Sequence, residues 1–120
     1  MRRVLAVDDS ASMRDIVLLT MKMAGFNATL AKDGAEALQI AQKEQFDLVL
    51  TDVHMPNMGG IELVRALRAL PAYRTIPIVA LTTEKDIAHR HEGRTAGVTG
   101  WIIKPFLPDK LISTLQHLLK

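Results

Sequence analysis

The run Leu48-Val49-Leu50-Thr51 is apolar or β-branched at every position, not at every second one. A strand with water on one face alternates; a strand buried on both faces does not. The run therefore reads as a central strand covered by helices above and below. It ends in Asp52, followed by Val53-His54-Met55-Pro56-Asn57 and the pair Gly59-Gly60, a dense turn signal. An ionised carboxylate is rarely set at the end of a core strand without a partner. In an open parallel sheet, ligands bind at the carboxyl ends of the strands. Asp52 is accordingly the first candidate for chemistry.

The rest of the chain repeats the theme. Residues Arg3 to Val7 read as a short buried strand. Ser10 or Ser12 can cap a helix whose apolar stripe is predicted as Met13, Ile16, Val17, Thr20 and Met23, stopped by Gly25. Asn27 to Ala31 is a second strand, and Asp33 caps a helix through Ala35, Leu38 and Ala41. Phe46 to Thr51 is the central strand. Gly60 leads into a helix with Ile61, Val64, Leu67 and Leu70 on one side, ended by Pro71. Pro77 opens a fourth buried strand, Ile78-Val79-Ala80-Leu81. The next helix, roughly Lys85 to Ala96, is polar all round and carries Gly93 inside it, which predicts marginal, poor packing. Gly100 to Lys104 is a fifth strand. Pro108 stands at the first turn of a last helix bearing Leu111, Leu115 and Leu118, with Ile112 and Leu119 beside them. Five strands alternating with five helices through short connections predict a doubly wound α/β domain with a parallel sheet.

Composition removes several classes of function. At 120 residues the chain is expected to form one domain, residues 1–120. It has no cysteine, so a disulfide scaffold, a Cys-zinc site and a thiol nucleophile are excluded. The start Met1-Arg2-Arg3-Val4-Leu5-Ala6-Val7 resembles a signal peptide until Asp8-Asp9 breaks the apolar run too early. No run approaches a membrane span, and a cytoplasmic location with no membrane partner is expected. The formal charge of +2 comes from scattered Lys and Arg, not a basic stripe interleaved with aromatics, which argues against nucleic acid as a partner. His89 and His91, two apart on a helix, point to different faces and do not suggest a metal pair.

The strand ends hold the chemistry. The first ends in Asp8 and Asp9, the third in Asp52, the fourth in Thr82 with Thr83, the fifth in Lys104. Three carboxylates brought together repel one another and raise each other's pKa. A hard divalent cation relieves this, and Mg²⁺ commonly bridges carboxylates to a phosphoryl group. Lys104 adds a compact positive charge and Thr82 a hydroxyl, both suited to phosphate oxygens. An Asp beside Mg²⁺ and Lys is a nucleophile toward phosphorus, giving an aspartyl-phosphate. Singly, each residue has an ordinary explanation: helix cap, turn, β propensity, solvated lysine. The four strand ends in chain order, taken together, point to function.

At these motifs the chain resembles the receiver domain of bacterial two-component response regulators, most of all the single-domain chemotaxis type. The carriers are Val7-Asp8-Asp9-Ser10 with Met13-Arg14, Thr51-Asp52-Val53-His54-Met55-Pro56-Asn57-Met58, Leu81-Thr82, and Gly100-Trp101-Ile102-Ile103-Lys104-Pro105-Phe106, spread over essentially the whole chain. The resemblance implies a flavodoxin-like sheet of strand order 2-1-3-4-5. It implies that Asp52 accepts a phosphoryl group from a sensor histidine kinase. Asp9 and Asp52 would bind Mg²⁺ directly with the backbone carbonyl of His54, and Asp8 through water. Lys104 would pair with the acceptor and then the phosphoryl group, Thr82 would be the switch hydroxyl, and Trp101 the aromatic switch. Lys104-Pro105 would be a cis peptide. The face of the fourth helix, fifth strand and fifth helix would bind a downstream target, the flagellar motor switch or another protein, and a phosphatase is a further partner. Apart from its own phosphorylation and dephosphorylation, no enzyme activity is implied.

Some positions tune this expectation. His54 and Glu84 lie two residues after Asp52 and Thr82, flank the path of an attacking water, and should set the dephosphorylation rate. Thr83 stands where many relatives carry Ala or Gly, and its branch would narrow access. Arg90 and His91 make the fourth helix more polar than that of the usual motor binder. Three alternatives compete: a phosphorelay carrier that passes its phosphate to a histidine phosphotransfer protein, an aspartyl-phosphate hydrolase, and a flavin module on the same topology. The hydrolase would want an Asp-x-Asp pair and a cap insertion. The flavin module would want a Ser/Thr/Gly-rich phosphate loop where Asp8-Asp9 stands.

Overall fold

The computed structural model describes residues 2–83 and 90–119. Five parallel strands, β1 (Arg3–Val7), β2 (Asn27–Ala31), β3 (Leu48–Asp52), β4 (Ile78–Thr82) and β5 (Gly100–Ile103), form one sheet in the order β2-β1-β3-β4-β5. The helices between them are α1 (Ala11–Met23), α2 (Gly34–Lys43), α3 (Gly60–Arg68), α4 (Arg90–Ala96) and α5 (Pro108–Leu118), with a 3₁₀ turn at Pro71–Tyr73. This is the flavodoxin-like doubly wound arrangement.

Strand residues of opposite parity feed two cores. Leu5, Val7, Val49, Ile78 and Ala80 pack with α2, α3 and α4, while Val4, Ala6, Leu48, Leu50, Val79 and Leu81 pack with α1 and α5. Burial on both faces is why the strands lack alternation. No helix among the described residues is long and apolar enough to cross a membrane.

The helix starts follow their caps. The Ser10 hydroxyl accepts the Met13 N–H (3.3 Å), and Asp33 accepts that of Glu36 (2.8 Å). Gly25, at φ +82°, ends α1 with the Phe26 N–H donating to the Met21 carbonyl (3.0 Å), the αL closure glycine makes easy.

Two expectations need correction. On α1 the buried residues are Val17, Thr20 and Met21, while Ile16 (49%) and Met23 (69%) are largely exposed. Met13, Val17 and Thr20 of the predicted stripe face inward, while Met21 stands in place of Ile16 and Met23, because α1 is fixed by its packing on β1, β2 and α5. The helix expected through Ala35, Leu38 and Ala41 is α2, with Ala37 and Ala41 buried and Ala35 and Leu38 half-buried. Leu70 lies beyond α3, which ends at Arg68.

Leu70, extended at φ −88° and ψ 127° ahead of Pro71, is the reason for that stop, and Arg68 secures the helix end. Its guanidinium donates to the carbonyls of Tyr73 (2.8 Å), Ile76 (2.7 Å) and Gly97 (2.7 Å) and to the Thr99 hydroxyl (3.2 Å). It therefore ties the end of α3 to the turn before β4 and the turn between α4 and β5. Burial pulls its pKa below the usual arginine value.

The Gly93 expectation also changes. Gly93 is buried, not a defect in a loosely covered helix. A Cβ there would come within 2.6 Å of Trp101 Cη2 and 3.2 Å of Ile61 Cδ1. The glycine is the seat on which the indole lies. The helix segment expected over Lys85 to His89 falls outside the described residues.

Gly93→Ala should therefore lower stability by up to about 2 kcal/mol, the overpacking cost exceeding a propensity gain of about 1 kcal/mol. Urea unfolding measures the sign, and a shifted Trp101 emission reports the displaced ring.

Candidate functional site

The register of the sheet decides what meets at its carboxyl edge. Val7 pairs with Thr51, Asp52 with Leu81, and Thr82 with Ile103. Asp8, Asp52, Thr82 and Lys104 therefore lie side by side on neighbouring strand ends. Asp9 follows Asp8 into the turn before α1.

Each carboxylate is held by its own turn. The Ser10 N–H donates to Asp8 Oδ1 (2.9 Å), and Arg14 Nη1 donates to the Asp8 carbonyl (2.7 Å). The Val53 N–H donates to Asp52 Oδ1 (2.8 Å). Gly60 closes the following loop through its N–H to the Val53 carbonyl (2.8 Å) and packs so tightly on the Asp52 backbone that no Cβ fits. The Lys104 N–H donates to the Thr82 carbonyl (2.7 Å), which aims its side chain back over the sheet. Lys104 Nζ then sits 3.2 Å from Asp8 Oδ2 and 3.1 Å from Asp52 Oδ2. The Lys104–Pro105 peptide is cis.

Asp8, Asp9 and Asp52 each contribute a carboxylate oxygen to a group whose members all lie within 4.8 Å of one another. Asp8 is buried (3%), Asp52 is half-buried, and Asp9 is exposed. Burial is the main influence on the Asp52 carboxyl. It pushes the pKa above the usual value, with Asp8 adding to the rise and Lys104 opposing it. On Lys104 burial acts in the opposite direction, but the Asp52 and Asp8 charges outweigh it and hold the ammonium above the usual lysine value.

Among the described residues, one ammonium against three carboxylates leaves two negative charges in a cleft a few ångströms wide. The donor set is all oxygen and partly open. This fits Mg²⁺, which takes hard oxygen ligands, retains waters and demands a compact site.

Thr82 is buried, and its hydroxyl donates to the Thr83 carbonyl (3.3 Å), an interaction within its own segment. Trp101 pairs in register with Ala80 and is half-buried. Thr83 and His54 are exposed. His54 lines an open hollow of about 280 Å³ with Val53, Met55, Ile61, Glu62 and Glu92. Glu84 lies outside the described residues. Arg14 and Gly60 were not given individual roles from sequence; Arg14 reaches Asp8 from one turn into α1, and only three-dimensional proximity reveals the Gly60 contact.

Comparison with known proteins places these features in a family. The model of the response regulator receiver domain matches residues 4–116. The chain is 39% identical to chemotaxis protein CheY-3 of Vibrio cholerae, over 97% of this chain and 93% of that one. Its fold superposes on the chemotaxis response regulator CheY4 of Vibrio cholerae with a TM-score of 0.94, 48% identity and 99% coverage of both chains. It also superposes on the receiver domain of the sensor histidine kinase PA1611 of Pseudomonas aeruginosa, a structure with magnesium coordinated in its active-site cleft (TM-score 0.91, 28% identity, 98% and 97% coverage).

A raised Asp52 pKa favours the folded state fully below the unfolded value of 3.8 and loses that benefit as pH rises through the folded value. Ionised Asp52 thus works against folding at neutral pH when no metal is present. Asp52→Asn should raise the urea midpoint of the metal-free protein at pH 7. The gain should shrink as pH falls toward 3.8.

Proposed function

The chain belongs to the response regulator receiver family, and from that premise we propose that it is a phosphorylation-activated switch of a two-component system, acting in chemotaxis. The observation that carries the reading is the Lys104 ammonium shared between Asp8 and Asp52 beside Asp9. It joins an anionic nucleophile, a cation for the incoming phosphoryl charge and a hard-metal site. Residues 1–120 would act as one receiver unit.

The donor is a phosphohistidine on a sensor kinase. A carboxylate oxygen of Asp52 bonds to phosphorus as the P–N bond breaks, and the imidazole leaves with that electron pair and takes up a proton. Asp9, Asp52 and the His54 carbonyl would hold Mg²⁺, with Asp8 acting through water. When bound, the ion neutralises the carboxylates and stabilises charge on the phosphoryl oxygens. Lys104 stays beside Asp52 and pairs with the new phosphate. Positioning and charge are the main contributions such a site can make to phosphoryl transfer.

The output follows from Thr82 and Trp101. Among the described residues, the Thr82 hydroxyl has only a long bond to Thr83 to give up when a phosphoryl oxygen offers a charged acceptor. Its shift opens room for Trp101 to turn, and the indole rests directly on Gly93 of α4. Beside it, Trp101, Ile103, Pro105, Phe106, Leu107 and Lys110 line a hollow of about 430 Å³, with Leu107 74% exposed. This edge of α4, β5 and α5 is the proposed target-binding face. CheY-3 and CheY4 support the chemotaxis assignment. His54 and Thr83, at the rim, and Glu84 are proposed to set the phosphate lifetime, and a phosphatase would work there too.

Incubation with Mg²⁺ and a small acyl phosphate should add one phosphoryl group by mass spectrometry and change Trp101 emission. Asp52→Asn should show neither response. An unmodified wild-type protein would refute the proposal. Mg²⁺ at a hundred times its dissociation constant should raise the unfolding free energy by about 2.7 kcal/mol, reversed by a chelator.

A further inference from the structure

The loop that follows Asp52 leaves the sheet and must still hold the His54 carbonyl in place. Its base is closed by the Gly60–Val53 hydrogen bond. Its crest is fastened to a different element, the start of α2. Asn57 Nδ2 donates to Asp33 Oδ2 (2.8 Å), and the Gly34 N–H donates to the Met58 carbonyl (3.1 Å). Asp33 is the buried cap of α2, so one carboxylate serves both jobs: Oδ1 takes the Glu36 N–H and Oδ2 takes Asn57.

The local backbone is built for this contact. Asn57 adopts φ +68°, in the left-handed region that asparagine tolerates better than most residues. A Cβ on Gly34 would come within 2.8 Å of Met58 Cβ, so the loop lies flat on the helix start. The Glu36 N–H, and then the Asn57 amide, hold the Asp33 carboxyl below its usual pKa, as befits an ionised acceptor.

We infer that Asp33 and Asn57 are positioning residues for the cation site: their hydrogen bond holds the loop crest so that the His54 carbonyl and Asp52 present a ready oxygen set. The inference rests on the Mg²⁺ reading given above. Mg²⁺ demands near-ideal octahedral geometry, so a small drift of a backbone ligand is costly. Partners outside the direct ligands typically contribute 10–100-fold to metal affinity.

The test is calorimetric titration with Mg²⁺ alone, beside urea unfolding of the metal-free protein. Asn57→Gly removes the amide but keeps the left-handed backbone accessible. It should weaken Mg²⁺ binding about tenfold, the low end of that range. The exchange Asp33→Asn with Asn57→Asp reverses donor and acceptor and retains a good cap. It should restore affinity, whereas Asn57→Asp alone, setting two carboxylates face to face, should not. Affinity unchanged in Asn57→Gly overturns the inference. So does recovery in Asn57→Asp alone, which would assign the effect to added charge. Wild-type protein that binds no Mg²⁺ would instead bring down the cation site itself, and this inference with it.

Discussion

A single ammonium sits between two carboxylates that the sheet would otherwise force together. Asp8 and Asp52 end adjacent strands, and adjacent strands lie about 5 Å apart. Two unit charges 4 Å apart interact by about 4 kcal/mol at an effective dielectric of 20. Repulsion between these carboxylates is therefore comparable to the attraction either gains from Lys104, and Asp9 has no ion pair among the described residues. Burial has already raised the Asp52 carboxyl's pKa. The fold thus holds its acidic site in a state that a cation improves, which is what couples metal, phosphate and conformation in the proposed switch.

Lysine suits that position for a geometric reason. β5 lies two strands from β3 and three from β1. Only a long, flexible stem with a compact charge can cross β4 and meet both acids. The Lys104 N–H on the Thr82 carbonyl fixes the root of that stem, so the proposed switch threonine and the bridging lysine share one backbone hydrogen bond.

What was legible in the sequence followed from local rules. Continuous apolar runs marked buried parallel strands, and caps and glycines marked helix ends. The charged residues at strand ends converged because parallel strands place all their carboxyl ends on one edge. What was not legible depended on contacts between distant residues. Ile16 and Met23 fit an amphipathic stripe with Val17 as well as Met21 does, and only packing on the sheet selects Met21 over them. Asn57 read as a turn and Asp33 as a cap, both correctly, but nothing in a 24-residue separation says that they bond to each other. The Arg68 guanidinium gathers carbonyls from two separate turns, a contact set that no local pattern around residue 68 announces.

Gly93 shows how a residue that weakens a helix can strengthen a mechanism. Glycine costs about 1 kcal/mol against alanine in a helix interior. Here a methyl group would strike the indole of Trp101, and overpacking of that kind costs about 1–3 kcal/mol. The glycine is therefore the better choice for the observed packing. It also makes the position of α4 and the orientation of Trp101 depend on each other, since a rigid ring on a bare backbone has little slack. Couplings between sites are typically about 1–3 kcal/mol, equivalent to 5–150-fold in affinity. This contact, with its far wall on Ile61 and the other end of α4 anchored to Arg68 through the Gly97 turn, is the physical link by which the proposed phosphoryl-driven bias would pass from Thr82 to the proposed target-binding face.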